Sequence, residues 1–343
     1  MIKPERLKKG DKVAIVSLSN GLLGEPQFKH MQELGKKRLE EKFGLEVVFM
    51  PNSLKGREYL SEHPEKRAED LMNAFKDKSI KAIICALGGL DTIRLLPYID
   101  YEVIRNNPKI FSGFSDTTAN HLMMYKAGLV SYYGPCFMCD FAEYVDMYDY
   151  TERAIRDLWF NPQEKYEIKK CDYWTNEFIS WREENMDRQK TRLKDEKGYE
   201  VVQGKGKVQG KLLGGCLDAF PIYVGTEIWP SLDEWKDKIL FIETSEDKPT
   251  PEYVYCYLLN LGAQGILNAV KGIIVGKPAE GEHYEEYKDI LKKVLKEFKR
   301  EDMPVLYNVN FGHSFPIGII PYGIECELDV DNKTITLLEN AVE

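Results

Sequence analysis

Short apolar runs alternate with helical patterns of polar and apolar residues through the first half of the chain. This alternation predicts a parallel sheet with helices on both faces, whose loops at the carboxyl ends of the strands form the ligand crevice. Three loops are expected at that edge: one after Ser17, one at Gly88 and Gly89, and one at Ser115. The predicted strands cover residues 12–19, 45–50, 80–87 and the run leading to Ser115, and the predicted helices cover residues 28–43, 66–77 and the stretch after Gly89 through residue 96.

The second half has short apolar runs separated by glycine turns. Its last two runs, residues 325–330 and 334–338, predict a hairpin because the intervening Asp331 and Asn332 tolerate the positive φ of tight turns. We therefore expect an α/β fold with an N-terminal parallel-sheet domain over residues 1–165 and a β-rich domain over residues 166–343. The other predicted strands are 207–213, 238–243 and 272–276, and the helices are 251–261 and 284–298.

The stretch from about residue 165 to residue 207 follows neither pattern. Residues 173–181 are aromatic and include Trp174 and Trp181, and residues 182–200 are mostly charged. The stretch is too long for an ordinary connection and too aromatic for a plain linker, which favours a functional or mobile substrate loop near residues 172–205. A solvated insertion anchored by the two tryptophans is an equally good interpretation.

Composition and charge narrow the class of protein. The chain of 343 residues exceeds the size at which one core keeps growing, and its content of 43% hydrophobic and 30% charged residues is ordinary for a globular protein. A net charge of −9 and a pI near 5.4 argue against binding to nucleic acid or anionic membranes. No apolar run approaches the ~20 residues that span a bilayer, and the first residues lack the apolar core of a signal peptide. We therefore expect a cytoplasmic protein.

The seven cysteines are scattered along the chain. Only Cys136 and Cys139 form a C-x-x-C pair, and no further ligands follow at the spacing of a structural zinc site. Buried and reduced cysteines are the better interpretation.

The main candidate for catalysis is a serine between an apolar run and a helical pattern. Gly113, Ser115 and the helix that follows resemble the turn on which α/β hydrolases hold a strained, exposed nucleophile. The usual final glycine of that motif is replaced by Thr117. Asp116 and Thr117 can cap the helix, and a plain helix cap is the more common meaning of such a turn taken alone.

A serine nucleophile needs a base, and the chain has only five histidines. His313 follows an apolar strand on a glycine-containing loop, whereas the other four lie in polar loops or helices or point away from Ser115. The orienting acid is best sought at another strand end, where Glu243 precedes an acidic loop. Glu243 as a mere helix cap is the alternative.

Backbone N–H groups can stabilise the oxyanion. Gly88 and Gly89 follow a buried strand and allow close approach of the backbone to a substrate. Together with the N–H of Asp116 they are candidates for the oxyanion hole. A tight turn without function is equally consistent with the two glycines.

Together these segments resemble the cytoplasmic serine LD-carboxypeptidases and their relatives, the microcin C self-immunity peptidases of the MccF type. The resemblance covers nearly the whole chain and is specific through the order and spacing of its motifs. They lie at residues 7–16, 87–89, 95–100, 113–118, 214–217, 242–244 and 311–313.

The resemblance implies a Ser115–Glu243–His313 triad, contributions of both domains to one catalytic site, a homodimer and no metal or other cofactor. The motif at residues 95–100 and the aromatic insertion are similar to the microcin-immunity branch, where a loop tryptophan stacks on the nucleotide base. Trp181 is the match, with Trp174 as the alternative. Cys216 belongs to the substrate-binding set implied by the family, which often has Asn at this position.

The expected function is that of a serine carboxypeptidase that forms an acyl-enzyme. Its substrate in the microcin-immunity branch is an aminoacyl nucleotide analogue, cleaved between the amino acid and the nucleotide. The alternative substrate is murein tetrapeptide, which loses its terminal D-Ala. A different class, a non-catalytic protein that binds a peptide or nucleotide, is disfavoured because a pure binder has no need of all three triad residues.

Overall fold

A computed structural model describes all residues, 1–343, and the chain forms two compact units. Unit 1 comprises Met1–Pro162, Phe178–Lys190 and Ala341–Glu343, and unit 2 comprises Gln163–Glu177 and Thr191–Asn340. The chain first passes from unit 1 to unit 2 between Pro162 and Gln163. Residues 178–190, within the expected substrate loop, group with unit 1.

The sheet of unit 1 is parallel, as the alternating pattern predicts. Its strands lie in the order β5-β4-β3-β1-β2, and every neighbouring pair is parallel. The carboxyl ends of β1, β3 and β4 therefore lie side by side at one edge. The strands are β1 (Lys12–Val16), β2 (Glu46–Phe49), β3 (Ile80–Cys85), β4 (Ile110–Gly113) and β5 (Tyr132–Tyr133).

The helices of unit 1 begin and end at residues with the expected backbone chemistry. Pro64 occupies the first turn of α3, where its missing N–H costs nothing. Gly44 and Gly128 end α1 and α5 in the left-handed conformation that glycine adopts without strain. The helices are α1 (Lys29–Phe43), α2 (Arg57–Glu62), α3 (Pro64–Lys76), α4 (Tyr101–Asn106), α5 (Thr117–Ala127) and α6 (Asp149–Ile155).

Unit 2 contains a mixed sheet of eight strands in the order β6-β16-β15-β10-β11-β12-β13-β9. Strands β10 to β13 are parallel, and β15, β16 and β6 extend the sheet in antiparallel pairs, so the predicted terminal hairpin is confirmed. The strands are β6 (Tyr166–Glu167), β7 (Tyr173–Trp174), β8 (Leu193–Lys194), β9 (Glu200–Gln203), β10 (Lys207–Cys216), β11 (Ile239–Glu243), β12 (Gly272–Gly276), β13 (Val305–Val309), β14 (Ile320–Pro321), β15 (Glu325–Asp329) and β16 (Thr334–Leu337).

Two longer helices of unit 2 connect its parallel strands. Tyr287, Leu291 and Val294 form the buried face of α11, at the spacing of an amphipathic helix. None of the helices in the chain is long and apolar enough to cross a membrane. The helices of unit 2 are α7 (Phe220–Tyr223), α8 (Leu232–Trp235), α9 (Pro251–Ala263), α10 (Ile266–Ala269) and α11 (Tyr284–Glu297).

Candidate active site

Ser115 lies on the abrupt turn between β4 and α5. Its φ of 65° is in the left-handed region, which a residue with a side chain occupies only at a cost of about 1–3 kcal/mol. Three hydrogen bonds hold this backbone. The N–H of Ser115 donates to the Tyr133 hydroxyl at 3.1 Å, and its carbonyl accepts from the Thr118 hydroxyl at 2.7 Å and from the Thr118 N–H at 2.9 Å. The strained conformation is the one that a nucleophile on a strand-to-helix turn requires.

The backbone at Gly88 lies directly against the side chain of Ser115. A Cβ atom at Gly88 would be 2.7 Å from Ser115 Cβ and 3.0 Å from its Oγ, and 3.4 Å from the N atom of Asp116. A Cβ atom at Gly89 would be 2.3 Å from Ser19 Oγ. Both positions therefore require glycine because of close approach, Gly88 to Ser115 and Gly89 to Ser19.

Asp116 occupies the N-cap position of α5, as expected, but its side chain makes no capping hydrogen bond. Its carboxylate accepts hydrogen bonds from the Ser19 hydroxyl at 2.7 Å, from the Thr92 hydroxyl at 2.7 Å and from the Thr92 N–H at 2.9 Å. The carboxylate is thus already used in connecting the loops that follow β1, β3 and β4. The N–H of Asp116, not its side chain, remains the candidate oxyanion donor.

His121 is a support of this turn that the sequence did not reveal. It is fully buried, with Nε2 2.9 Å from the Gly113 carbonyl and Nδ1 2.8 Å from the Ser131 hydroxyl. Burial lowers the pKa of its imidazole to about 3, so the ring is neutral. The ring therefore donates from Nε2 to the end of β4 and accepts at Nδ1, which fixes the strand two residues before Ser115.

In unit 2, Glu243 and His313 form a buried hydrogen-bonded pair. The Nδ1 atom of His313 donates to Glu243 Oε2 at 2.7 Å, and the backbone N–H of His313 approaches the same oxygen at 3.3 Å. Gly312, with φ of 87°, makes this contact possible because a Cβ atom there would lie 2.4 Å from the Glu243 side chain. Thr250 is the N-cap residue of α9. Glu243 therefore does not occupy the capping position that was considered as its alternative role.

The other ring nitrogen of His313 contacts the carboxylate of Glu246. His313 Nε2 lies 2.9 Å from Glu246 Oε2, and the Glu246 side chain is 71% exposed. Burial by itself lowers the pKa of His313, but the two carboxylates outweigh it and raise that pKa well above its usual value. The hydrogen bond from His313 lowers the pKa of Glu246 to about 2. The imidazole therefore stands here as an imidazolium between two carboxylates.

Cys216 lies beside this pair at the end of β10. It is opposite Glu243 in the parallel register of β10 and β11, and its thiol donates to Asp218 Oδ1 at 3.3 Å. Burial and the nearby carboxylates raise the pKa of this thiol well above its usual value, so the sulfur is protonated. One ligand-type atom each of Cys216, Glu243 and His313 lies within 4.8 Å of the other two.

The two candidate tryptophans have different surroundings. Trp174, in unit 2, has Lys277 Nζ 4.6 Å from its ring centroid and lies 2.9 Å from the Cβ position of Gly281. Trp181, in unit 1, is half-buried and makes an edge-to-face contact with Phe178 at 5.7 Å.

The segment Phe178–Lys190 is attached to unit 1 by buried polar contacts. Lys190 pairs with Glu143 at 2.6 Å, and both side chains are less than a tenth exposed. The Tyr144 hydroxyl donates to the Arg182 carbonyl at 3.0 Å. The segment is therefore held at Arg182 and Lys190, while most of the residues between them are exposed.

Models of known protein families match both halves of the chain. The LD-carboxypeptidase N-terminal domain matches residues 13–134, and the LD-carboxypeptidase C-terminal domain matches residues 209–328. The chain therefore belongs to the LD-carboxypeptidase family, and the protein is a hydrolase of the peptidase type.

Individual relatives confirm the resemblance to the MccF branch. The chain is 32% identical to the microcin C7 self-immunity protein MccF of Escherichia coli over 82% of this chain and 80% of MccF. A structure of MccF in complex with aspartyl sulfamoyl adenosine has a TM-score of 0.88 at 28% identity, with 100% of both chains covered.

Two further relatives bear on the substrate. An MccF-like protein from Streptococcus pneumoniae, solved in complex with AMP, has a TM-score of 0.87 and 36% identity over 96% of this chain and 98% of its own. The probable murein peptide carboxypeptidase of Bacillus subtilis is 27% identical over 98% of this chain and 94% of that protein.

Proposed function

We propose that the protein is a serine carboxypeptidase in which Ser115 is the nucleophile, His313 the general base and acid, and Glu243 the residue that orients His313. The observation that carries the proposal is the buried hydrogen bond between Glu243 and His313 Nδ1 at 2.7 Å. A carboxylate on Nδ1 fixes the tautomer with Nε2 as the base and stabilises the imidazolium that forms during the reaction. The left-handed Ser115 at the end of β4 supports the nucleophile assignment.

The reaction follows from these roles. His313 Nε2 accepts the hydroxyl proton while Ser115 Oγ bonds to the carbonyl carbon, and the N–H groups of Gly89 and Asp116 receive the negative oxygen. The carbon–nitrogen bond then breaks, and the proton passes from His313 to the leaving nitrogen. A water molecule, deprotonated by the same imidazole, hydrolyses the acyl-enzyme and restores the Ser115 hydroxyl.

The leading substrate class is an aminoacyl nucleotide analogue, cleaved between the amino acid and the nucleotide. The similarity to MccF, whose structure holds aspartyl sulfamoyl adenosine, and to the pneumococcal protein, whose structure holds AMP, supports this assignment. Trp181 is the proposed stacking partner of the base. Trp174 is the weaker choice because its ring already has a cationic partner in Lys277.

Murein tetrapeptide is the second candidate substrate. It is favoured by the similarity to the probable murein peptide carboxypeptidase of Bacillus subtilis, which extends over nearly the full length of both proteins.

A side-by-side assay on an aminoacyl sulfamoyl adenosine and on murein tetrapeptide tests the proposal. Ser115→Ala is expected to lower kcat/KM on the hydrolysed substrate by about 10³-fold or more, while calorimetry still detects binding. Ser61→Ala, a substitution at an exposed position of α2, is the matched control and keeps full activity. Unchanged hydrolysis by Ser115→Ala would overturn the triad, and binding without hydrolysis by the wild type would favour a non-catalytic binding protein.

A further inference from the structure

A thiol, a carboxylate and an imidazole converge at one end of the parallel strands of unit 2. Cys216 ends β10, Glu243 ends β11, and His313 follows β13. Because β10 and β11 pair in register, Cys216 and Glu243 are direct neighbours across the two strands. Ligand-type atoms of all three residues lie within 4.8 Å of one another.

This spacing is close to that of a metal centre. Zinc bonds of about 2.0–2.3 Å at tetrahedral angles place ligand atoms roughly 3.5 Å apart. Small rotations of the three side chains therefore suffice to surround an ion.

The donor set also selects the class of ion. Thiolate and imidazole ligands bind Zn²⁺, Co²⁺ and Cd²⁺, whereas Mg²⁺ and Ca²⁺ prefer sites made of oxygen alone. A site with three protein ligands leaves the fourth tetrahedral position for a water molecule. Cys216 supplies the soft ligand, which an Asn at this position would not provide.

We infer that Cys216, Glu243 and His313 form a site for a thiophilic divalent cation, and that its occupation switches the hydrolase off. On binding, the Cys216 thiol loses its proton to solvent, and the metal replaces the proton shared between the His313 ring and Glu243. The ion is bound by a thiolate, a carboxylate, a neutral imidazole nitrogen and a water molecule. The S–H bond of Cys216 and the N–H bond at the metal-bound nitrogen of His313 break, and both protons go to solvent. No oxidation state changes, so the inhibition is reversible by a chelator.

Optical titration with Co²⁺ detects the site without any substrate. The wild type is expected to show a thiolate-to-metal charge-transfer band that saturates at one equivalent. Cys256→Ala, which removes an exposed cysteine on α9, is the matched control and keeps both the band and the activity. Cys216→Ser is the test variant, and it is expected to lack the band because a hydroxyl does not ionise under these conditions. Circular dichroism verifies that this variant is folded.

Hydrolysis measured with added Zn²⁺ tests whether occupation of the site inhibits the enzyme. This part of the inference rests on the proposed function. Each variant is compared with its own activity in a chelator, and Cys216→Ser is expected to need at least about tenfold more Zn²⁺ for half inhibition than the wild type. A wild type without the band, or a band that persists in folded Cys216→Ser, overturns the metal site. A wild type that binds Co²⁺ through Cys216 but hydrolyses neither substrate refutes the proposed function and leaves the site standing.

Discussion

The Nε2 atom of His313 lies 2.9 Å from a carboxylate oxygen of Glu246, on the side of the ring opposite to Glu243. Each carboxylate accepts a hydrogen bond, so both ring nitrogens carry hydrogen and the ring is positively charged. In the proposed mechanism, however, Nε2 must accept the proton of the nucleophile. The contact with Glu246 therefore holds the base in its inactive protonation state, and it must break before catalysis.

Glu246→Gln is expected to move the acid limb of the pH profile of kcat/KM to lower pH. The pKa of His313 is raised by Glu243 and Glu246 together. Activity requires the deprotonated ring and therefore grows as pH rises through that pKa, so removing one of the two carboxylates lets the base form at lower pH. The profile is measured in a chelator to exclude metal binding.

Asp247→Asn, at the next position in the chain, is the matched control. Asp247 is exposed, and its N–H donates to the Ser245 hydroxyl and not to the His313 ring. It should leave the acid limb in place. An acid limb at the same pH in Glu246→Gln and the wild type would show that Glu246 does not act on His313 in solution.

His121 should make a destabilising contribution that grows as pH decreases below about 6.5, opposite in sign to that of the buried carboxyls of Asp70 and Asp140, whose pKa values burial raises. The pKa of His121 is lowered from 6.5 to about 3 by burial. Between these values the unfolded chain binds a proton that the folded chain does not, so the free energy of unfolding decreases by up to about 1.4 kcal/mol per pH unit.

Urea unfolding at a series of pH values, from about pH 4 to about pH 7, measures this slope. His121→Leu should be less stable near neutral pH by about 1–3 kcal/mol, since the buried carbonyl of Gly113 loses its donor, and should lack the His121 contribution to the slope. His63→Leu changes a half-exposed histidine and keeps the wild-type slope. Equal slopes in all three proteins would contradict the assignment.

Gly88→Ala is expected to lower kcat by about 10²-fold while the protein remains folded. The added Cβ atom would lie 2.7 Å from Ser115 Cβ, which forces the serine or the adjacent loop to move. A displacement of the nucleophile by about 1 Å is enough to lower kcat to this extent. Steady-state kinetics and thermal unfolding separate the two effects.

Gly10→Ala provides the comparison, because Gly10 also has an unusual backbone, with φ of 90°, but nothing lies within 4 Å of its Cβ position. It should cost about 1 kcal/mol of stability and leave kcat unchanged. Wild-type kcat in Gly88→Ala would mean that the contact with Ser115 plays no part in the reaction.

The sequence predicted the features that local patterns determine. Alternating strands and helices define the parallel sheet of unit 1, and strand ends identified the positions of Ser115, Glu243 and His313. Glu243 Oε2 and His313 Nδ1 are 2.7 Å apart, and the catalytic roles of these residues stay predictions. These residues could be found because Glu243 ends an apolar strand, and Ser115 and His313 lie in the loops that follow such strands.

Contacts between distant parts of the chain were not predictable in the same way. The carboxylate of Asp116 accepts a hydrogen bond from the hydroxyl of Ser19, which is 97 positions away in the chain. The His121 ring contacts Gly113 and Ser131 instead of pointing away from the site. Glu246 lies in an acidic loop where periodicity carries no information. Such partners are selected by packing and by the need to satisfy buried polar groups, and neither leaves a local pattern.

Trp181→Ala is expected to raise KM for an aminoacyl sulfamoyl adenosine by about tenfold or more, and to leave hydrolysis of murein tetrapeptide unchanged. Stacking of a base on an aromatic side chain contributes about 1–3 kcal/mol, and the peptide has no base to stack. Trp174→Ala is the matched comparison. It removes the ring that covers Lys277 and so should lower the melting temperature with little effect on KM. Steady-state kinetics on both substrates, with thermal unfolding of both variants, distinguishes the two tryptophans. The reverse pattern, a raised KM in Trp174→Ala alone, would transfer the stacking role to Trp174.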